Sequence, residues 1–149
     1  LSALAAGINM TGNIAAGRLM ARGVAPGWLL FTGYAAMGIG AALAFGLPAF
    51  PTIGYLGVLL FSAFGGLIPG TLFSLAVKLA PSADTISTTV GWMQQWSSLG
   101  QFFGPPAVAV IAMWAGGWGM TWLATGACSL LGVALAWRLQ LLWRQSAGT

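Results

Sequence analysis

The sequence predicts an all-α fold, a polytopic membrane protein with five transmembrane helices. Charged residues make up only 4% of its 149 residues, against about 25% in an ordinary soluble domain. Two stretches carry no charge at all, one between Arg22 and Lys78 and one between Asp84 and Arg138. Each is far longer than the ~20 residues that cross a bilayer as one helix. We therefore expect each stretch to fold back on itself and form two spans.

Prolines, glycines and charges separate the five segments. The predicted spans cover about residues 1–16, 28–47, 53–78, 85–113 and 118–138. Pro48 and Pro51 end the second span and begin the third, and Pro81 blocks continuation of the third. Ser82 or Asp84 is suited to accept the free N–H groups at the start of the fourth. Such long apolar runs favour helices over membrane strands, which show ten-residue alternation.

All five basic residues fall on one side of this five-span arrangement. They are Arg18, Arg22, Lys78, Arg138 and Arg144, and the connections at 47–52 and 114–118 contain none. By the positive-inside rule that side is the cytoplasm. The Leu1 end is then external and the Thr149 end cytoplasmic, and we expect an integral protein of a bacterial inner (plasma) membrane. Because the chain starts inside an apolar run, we interpret it as a piece of a longer polypeptide.

The composition argues against several classes of function. The basic residues form no patch or stripe, so nucleic-acid binding is not expected. The chain has no His and a single cysteine, Cys128, so we predict no metal site, no cofactor and no internal disulfide. It also lacks a carboxylate pair inside the spans and any nucleophile with a base. An enzyme is therefore not expected.

Polar side chains inside the spans are the candidates for a functional site, because an amide in hydrocarbon needs a partner or water. The fourth span carries Gln94, Ser97, Ser98 and Gln101 at the helical spacing i, i+3, i+4 and i+7, flanked by Trp92 and Trp96. One interpretation is a solute path lined by Gln94, Ser98 and Gln101, with Trp92 as a wall. The other is hydrogen bonding between helices. Asn9 and Asn13, four residues apart on the first span, allow the same two interpretations.

The third span combines small residues with a proline. Ser62, Gly66, Gly70 and Ser74 recur every four residues, and Pro69 interrupts the same helix. A proline removes one backbone hydrogen bond and bends a helix. Two interpretations remain open: a hinge or discontinuous helix beside a solute path, and a packing seam that tolerates a proline.

Two motifs resemble those of the major facilitator superfamily. The loop Gly17-Arg18-Leu19-Met20-Ala21-Arg22-Gly23 is similar to that family's cytoplasmic signature Gly-x-Leu-x-Asp-Arg-x-Gly, with matches at Gly17, Leu19 and Arg22. Ala21 stands at the Asp position, which weakens the acid-based contact that the family makes there. The segment Gly100-Gln101-Phe102-Phe103-Gly104-Pro105 resembles the family's Gly-x-x-x-Gly-Pro helix motif.

The resemblance implies the C-terminal part of a permease, about helices eight to twelve. It implies secondary active transport of a small solute by alternating access, with the bilayer, the substrate and the N-terminal helices of the same chain as partners. Expected hinge or gating residues are Gly66, Pro69, Gly70, Gly104 and Pro105, and the loop motif comprises Gly17, Leu19, Arg22 and Asp84. Three alternatives remain open: a non-catalytic membrane subunit, a permease of another family, and the membrane anchor of an enzyme whose active site lies elsewhere.

Overall fold

The computed structural model describes residues 2–147, and this part of the chain is helical, without strands. The all-α prediction is confirmed. The helices are α1 Ser2–Ala21, α2 Pro26–Gly46, α3 Pro51–Gly65, α4 Leu67–Leu79, α5 Ile86–Trp114 and α6 Thr121–Ala147. Short 3₁₀ turns at Ala83–Thr85 and Trp118–Met120 lead into α5 and α6.

Three helical segments of residues 2–147 are long and apolar enough to cross a membrane. They are Pro26–Gly46, Pro51–Leu79 and Trp118–Gln145, which indicates an integral membrane protein. Helices α1 and α5 are 20 and 29 residues long, so both have the length to span a bilayer. Amide and hydroxyl side chains along them leave neither helix with a stretch as apolar as those of the three segments. The structure thus supports three of the five predicted spans by length and composition.

The helix ends follow from local chemistry. Pro26 and Pro51 are the first residues of α2 and α3. At this position the backbone N–H has no acceptor within the helix, so its absence in proline costs no hydrogen bond. Before α5, the Ser82 backbone N–H donates to Thr85 Oγ1 at 3.0 Å, so Ser82 and Thr85 cap this end rather than Asp84. The turn between α1 and α2 contains Gly23 at φ +87°, a conformation that glycine adopts without a Cβ penalty.

Two helices continue beyond the ends of the predicted spans. Helix α1 runs past Gly17 to Ala21, and α6 runs past Arg138 to Ala147. A charged side chain stops a span at the edge of the hydrocarbon, but arginine is a good helix former. Each helix therefore continues past its arginine with no change of backbone conformation.

The third predicted span is one helix broken near its middle. Helix α3 ends at Gly65 and α4 begins at Leu67, so the interruption lies one turn before Pro69. Pro69 has no N–H to donate to the carbonyl of Gly65, which is the bond that would hold this turn. The proline therefore acts on the residues that precede it.

The helices pack through glycines that bring their backbones close together. At the crossing of α2 and α3, a Cβ on either Gly40 or Gly57 would lie 2.7 Å from the other's carbonyl oxygen. At the crossing of α1 with α3, a Cβ on Gly12 would overlap the carbonyl oxygen of Ala63. Such contacts suit a membrane protein, since lipid provides no hydrophobic force between helices and close van der Waals packing replaces it.

One end of the bundle is marked by an apolar cluster from four helices. Met20, Leu29 and Leu75 are buried there, and Leu139 and Trp143 pack against them. The five basic residues lie near this end: Arg18 in the last turn of α1, Arg22 just after it, Lys78 in the last turn of α4, and Arg138 and Arg144 in the second half of α6. At the opposite end, Gly46 lies beside the Trp122 indole. The fold therefore gathers the cations at one end of the molecule.

Candidate solute-binding cleft

Helix α5 is attached to the bundle along only one side. Its main neighbour is α4, and Ala112 is its one buried residue. Large side chains on it are open, with Trp96 68% and Phe102 72% exposed. Between α5, α4 and α2 lies a cleft of about 490 Å³, within the ~300–1,000 Å³ typical of small-molecule sites.

The α5 wall of the cleft supplies its polar groups. Met93, Ser97 and Gln101 line it at the spacing i, i+4, i+8, with Trp96 beside them. Gln101 Nε2 donates a hydrogen bond to Ser97 Oγ at 3.2 Å. A glutamine amide has two N–H donors and one carbonyl acceptor. The bond to Ser97 uses one donor and leaves the acceptor and the other donor for water or a solute.

The α4 wall is apolar but lies beside an interrupted backbone. Ile68, Pro69, Leu72 and Phe73 form it. Because Pro69 has no N–H, the Gly65 carbonyl one turn earlier on the same side of the helix lacks its usual donor.

Two prolines inside α5 have the same effect beside the cleft. Pro105 and Pro106 deprive the carbonyls of Gln101 and Phe102 of their i+4 donors. Backbone acceptors therefore occur next to both walls of the cleft. Free backbone acceptors at membrane depth are tolerated where they line a cavity.

Tyr34 closes the cleft on the α2 side. Its ring packs on Gly132 of α6, where a Cβ would overlap the ring atoms. The same ring lines an apolar groove of about 530 Å³ between α2 and α6. Tyr34 is the one residue common to the linings of the cleft and the groove. Within residues 2–147 its hydroxyl has no hydrogen-bond partner.

Of the polar stripe predicted on the fourth span, the structure brings Gln101 to the cleft. Gln94, Ser98 and Trp92 are exposed on other parts of the α5 surface and do not line it. At ~100° per residue, Gln94 points about 100° and Ser98 about 140° away from Met93. The cleft faces the Met93–Ser97–Gln101 side, so Ser97 and Trp96 stand in the positions expected for Ser98 and Trp92.

Asn9 and Asn13 lie at the crossing of α1 with the broken helix, away from the cleft. Asn9 Nδ2 donates to the Ser62 carbonyl at 3.0 Å, and the Ser62 hydroxyl donates to the Ala5 carbonyl. The backbone oxygen of Asn13 would be 2.8 Å from a Cβ on Gly70. Asn9 thus makes a hydrogen bond between helices, whereas the contact of Asn13 with Gly70 involves its backbone oxygen.

The predicted hinge residues fall in three different surroundings. Pro69 lines the cleft, whereas Gly66 and Gly70 face α1 and pack against its backbone. Gly104, just before Pro105 in α5, has open space where a Cβ would be, with no heavy atom within 4 Å. Gly66 and Gly70 therefore serve close packing, and the α5 pair lies on a helix with few neighbours.

The loop motif forms the end of α1. The backbone N–H of Arg22 donates to the carbonyls of Arg18 and Leu19 at 3.1 Å, and Val24 N–H donates to Leu19 at 3.0 Å. Leu19 packs on the Met20 cluster, and Gly17 is exposed. Arg22 and Asp84 form no ion pair in the described part of the chain. The motif thus closes a turn at the end of α1.

Five residues of the cleft were not singled out from the sequence: Tyr34, Ile68, Leu72, Phe73 and Met93. Tyr34 carries a signal that was available, since it is one of two tyrosines and places a hydroxyl in the middle of an apolar span. Phe73 carries none, because a phenylalanine in such a span is equally suited to lipid contact.

Comparisons of this chain with family models, with curated proteins and with solved structures found no match. The class of protein that the fold defines is an all-α protein with three helical segments long and apolar enough to cross a membrane. Between α2, α4 and α5 it has a cleft lined by both polar and aromatic side chains.

Proposed function

We propose that this chain is the C-terminal transmembrane portion of a secondary active transporter, which moves a small solute by alternating access as major facilitator permeases do. The observation that carries the proposal is the cleft, because it places an amide, hydroxyls and an indole beside the apolar side chains of α4. It also borders α4, the second half of a broken helix.

The polar groups of the cleft favour a path over a packing role. Gln101 bonds to Ser97 on its own helix and to no other helix in residues 2–147. An amide that joins helices has its partner across the interface, as Asn9 does with Ser62. In hydrocarbon, the remaining amide groups of Gln101 would be costly without water or a solute. A solute path satisfies them.

The helices around the cleft have the discontinuities that rocking or gating requires. The break at Gly66 lies on one side, and Pro105-Pro106 on the other. Transporters commonly form their sites from helices interrupted at this depth. Since α5 has few buried contacts, it can change its distance from α4 without breaking a packed core.

In this proposal all five helical segments cross the membrane, with α3 and α4 as a single span. The end with the Met20 cluster and the cations is cytoplasmic, and the membrane is the bacterial inner membrane. The polar side chains that lower the apolarity of α1 and α5 then face other helices or the solute path. The remaining partners are the N-terminal helices of the full-length transporter.

A matched pair of glutamine substitutions tests the proposal. In the full-length transporter, Gln101→Leu removes the amide that faces the cleft, while Gln94→Leu makes the same change outside it. We expect Gln101→Leu to lower initial uptake into proteoliposomes at least about tenfold, which corresponds to one lost hydrogen bond to the solute. Gln94→Leu should transport at the wild-type rate, and both should reach normal membrane levels. Wild-type uptake by Gln101→Leu would remove the cleft from the path.

A further inference from the structure

We infer that the solute carried in the cleft is uncharged and binds with a flat apolar face against aromatic side chains. This inference rests on the proposed transport function and names its substrate class. Its basis is the chemistry of the lining, which combines aromatic rings with neutral hydrogen-bonding groups and contains no ionisable acid or base other than the Tyr34 phenol.

The charges of the chain are all displaced from the cleft. Along α4, Lys78 follows Phe73 by five residues, or ~7 Å of helix rise. Along the 3₁₀ turn and α5, Asp84 precedes Met93 by nine residues, or ~13 Å. Both are exposed at the cytoplasmic end of their elements. Neither charge lines the cleft, so the described walls offer no counter-ion to a bound solute.

A charged solute would lose its hydration on entering such walls without gaining an opposite charge. The desolvation of an unpaired ion outweighs what neutral dipoles return. An uncharged solute with N–H or O–H donors has a smaller desolvation cost, which hydrogen bonds in the cleft can offset. The side-chain amide oxygen of Gln101 accepts a hydrogen bond from it, and the Tyr34 hydroxyl can donate one.

The aromatic rings define the other face of the solute. Tyr34, Phe73 and Trp96 come from three different helices and surround the same space. Flat apolar groups stack against such rings or meet their edges with centroids about 4.5–7 Å apart. A volume of about 490 Å³ holds roughly 16 water-sized atoms at about 30 Å³ each. The solute class is therefore a single ring system or a molecule of similar size.

Thiol labelling tests this charge selection without knowledge of the solute. The full-length protein is placed in nanodiscs, which leave both faces open, and its native cysteines, Cys128 included, are replaced by Ser. Ser97→Cys then reports on the cleft, and Ala83→Cys, in the exposed loop before α5, reports on water. Three methanethiosulfonates are compared: the uncharged methyl reagent, the anionic sulfonatoethyl reagent and the cationic trimethylammonium-ethyl reagent.

The expected result is a preference for the uncharged reagent in the cleft. After normalisation to the rates at Ala83→Cys, the uncharged reagent should label Ser97→Cys at least about tenfold faster than either charged one, because each ion must be desolvated. Adding Gln101→Glu should then raise the rate of the cationic reagent and lower that of the anionic one, since it introduces a charge at the same site.

Two results would overturn the inference in different ways. Equal normalised rates for all three reagents at Ser97→Cys would show that the cleft does not select against charge. This result would overturn the inference of an uncharged solute and leave the proposed transport function in place. No labelling at Ser97→Cys by any reagent, with normal labelling at Ala83→Cys, would show that the cleft is closed to solutes. That second result removes the transport path together with the inference.

Discussion

At the crossing of α1 with the broken helix, single atoms decide how close two backbones come. Gly12 faces the Ala63 carbonyl, and Gly66 faces the carbonyl of Asn9, in both cases with no room for a Cβ. The bond from Asn9 to Ser62 lies at the same crossing. Hydrogen bonds of this kind between membrane helices contribute about 0.6 kcal/mol on average. We therefore expect the close glycine contacts to matter more for stability than the amide.

Two glycines on the same helix provide a comparison for this contact. Gly12→Ala should destabilise the protein by about 1–3 kcal/mol, because its methyl group meets a backbone oxygen that cannot rotate away. Gly7→Ala, whose Cβ would have no heavy atom within 4 Å, should be neutral or stabilise the helix by up to about 1 kcal/mol. The measurement is thermal unfolding of the full-length protein in detergent. Equal melting temperatures for the two variants would contradict the close contact.

Among the elements, the broken α3–α4 helix shows what the sequence could and could not predict. Pro69 and the small residues around it predict an interruption, and one is present. The position of the break, at Gly66, depends on which backbone bond the proline removes and on the contact of Gly66 with α1. Tertiary contacts of this kind leave no local signal in the sequence.

The orientation of α5 was likewise predictable from the sequence only in part. Its polar residues predict that part of its surface meets something other than lipid. Helical spacing alone leaves the four polar side chains on a stripe about 100° wide, from Ser97 to Ser98, and the side that faces α4 is set by the packing of neighbouring helices. Gln101 was therefore identified from the sequence. The structure places Ser97 and Trp96 beside the cleft, where Ser98 and Trp92 were expected.

Proline substitutions test the role of the break. Pro69→Ala restores an N–H to the Gly65 carbonyl and should make α3 and α4 more continuous. We expect uptake by the full-length protein to fall several-fold while its amount in the membrane stays the same or rises. Pro51→Ala is the matched control, because a proline at the start of a helix removes no bond and its loss should leave uptake unchanged. Full activity of Pro69→Ala would show that the break is only a packing feature.

Across the whole molecule, the cations lie at one end and the two uncharged turns at the other. The helix ends that carry cations meet at the Met20 cluster, whereas the turns at 47–50 and 115–117 lie at the other ends of α2 and α5. The sequence predicted this separation, because it depends only on the order of charges and helices along the chain. Details of packing have little influence on it.

Single cysteines test which end is external. In intact cells, Thr52→Cys and Ala115→Cys should react with a membrane-impermeant maleimide, and Ala83→Cys should react only after the membrane is opened. Ala115 is preferred to the neighbouring Gly116, whose φ of +70° would strain a cysteine. The background lacks Cys128, which is exposed on α6. Labelling of Ala83→Cys but not of Thr52→Cys in intact cells would reverse the orientation.

Tyr34 has a consequence for how the bilayer and the cleft are kept apart. Its ring borders the cleft on one side and the apolar groove between α2 and α6 on the other. If acyl tails fill that groove and water enters the cleft, only the phenol ring of Tyr34 lies between the two. A single side chain would then separate lipid from water at this position.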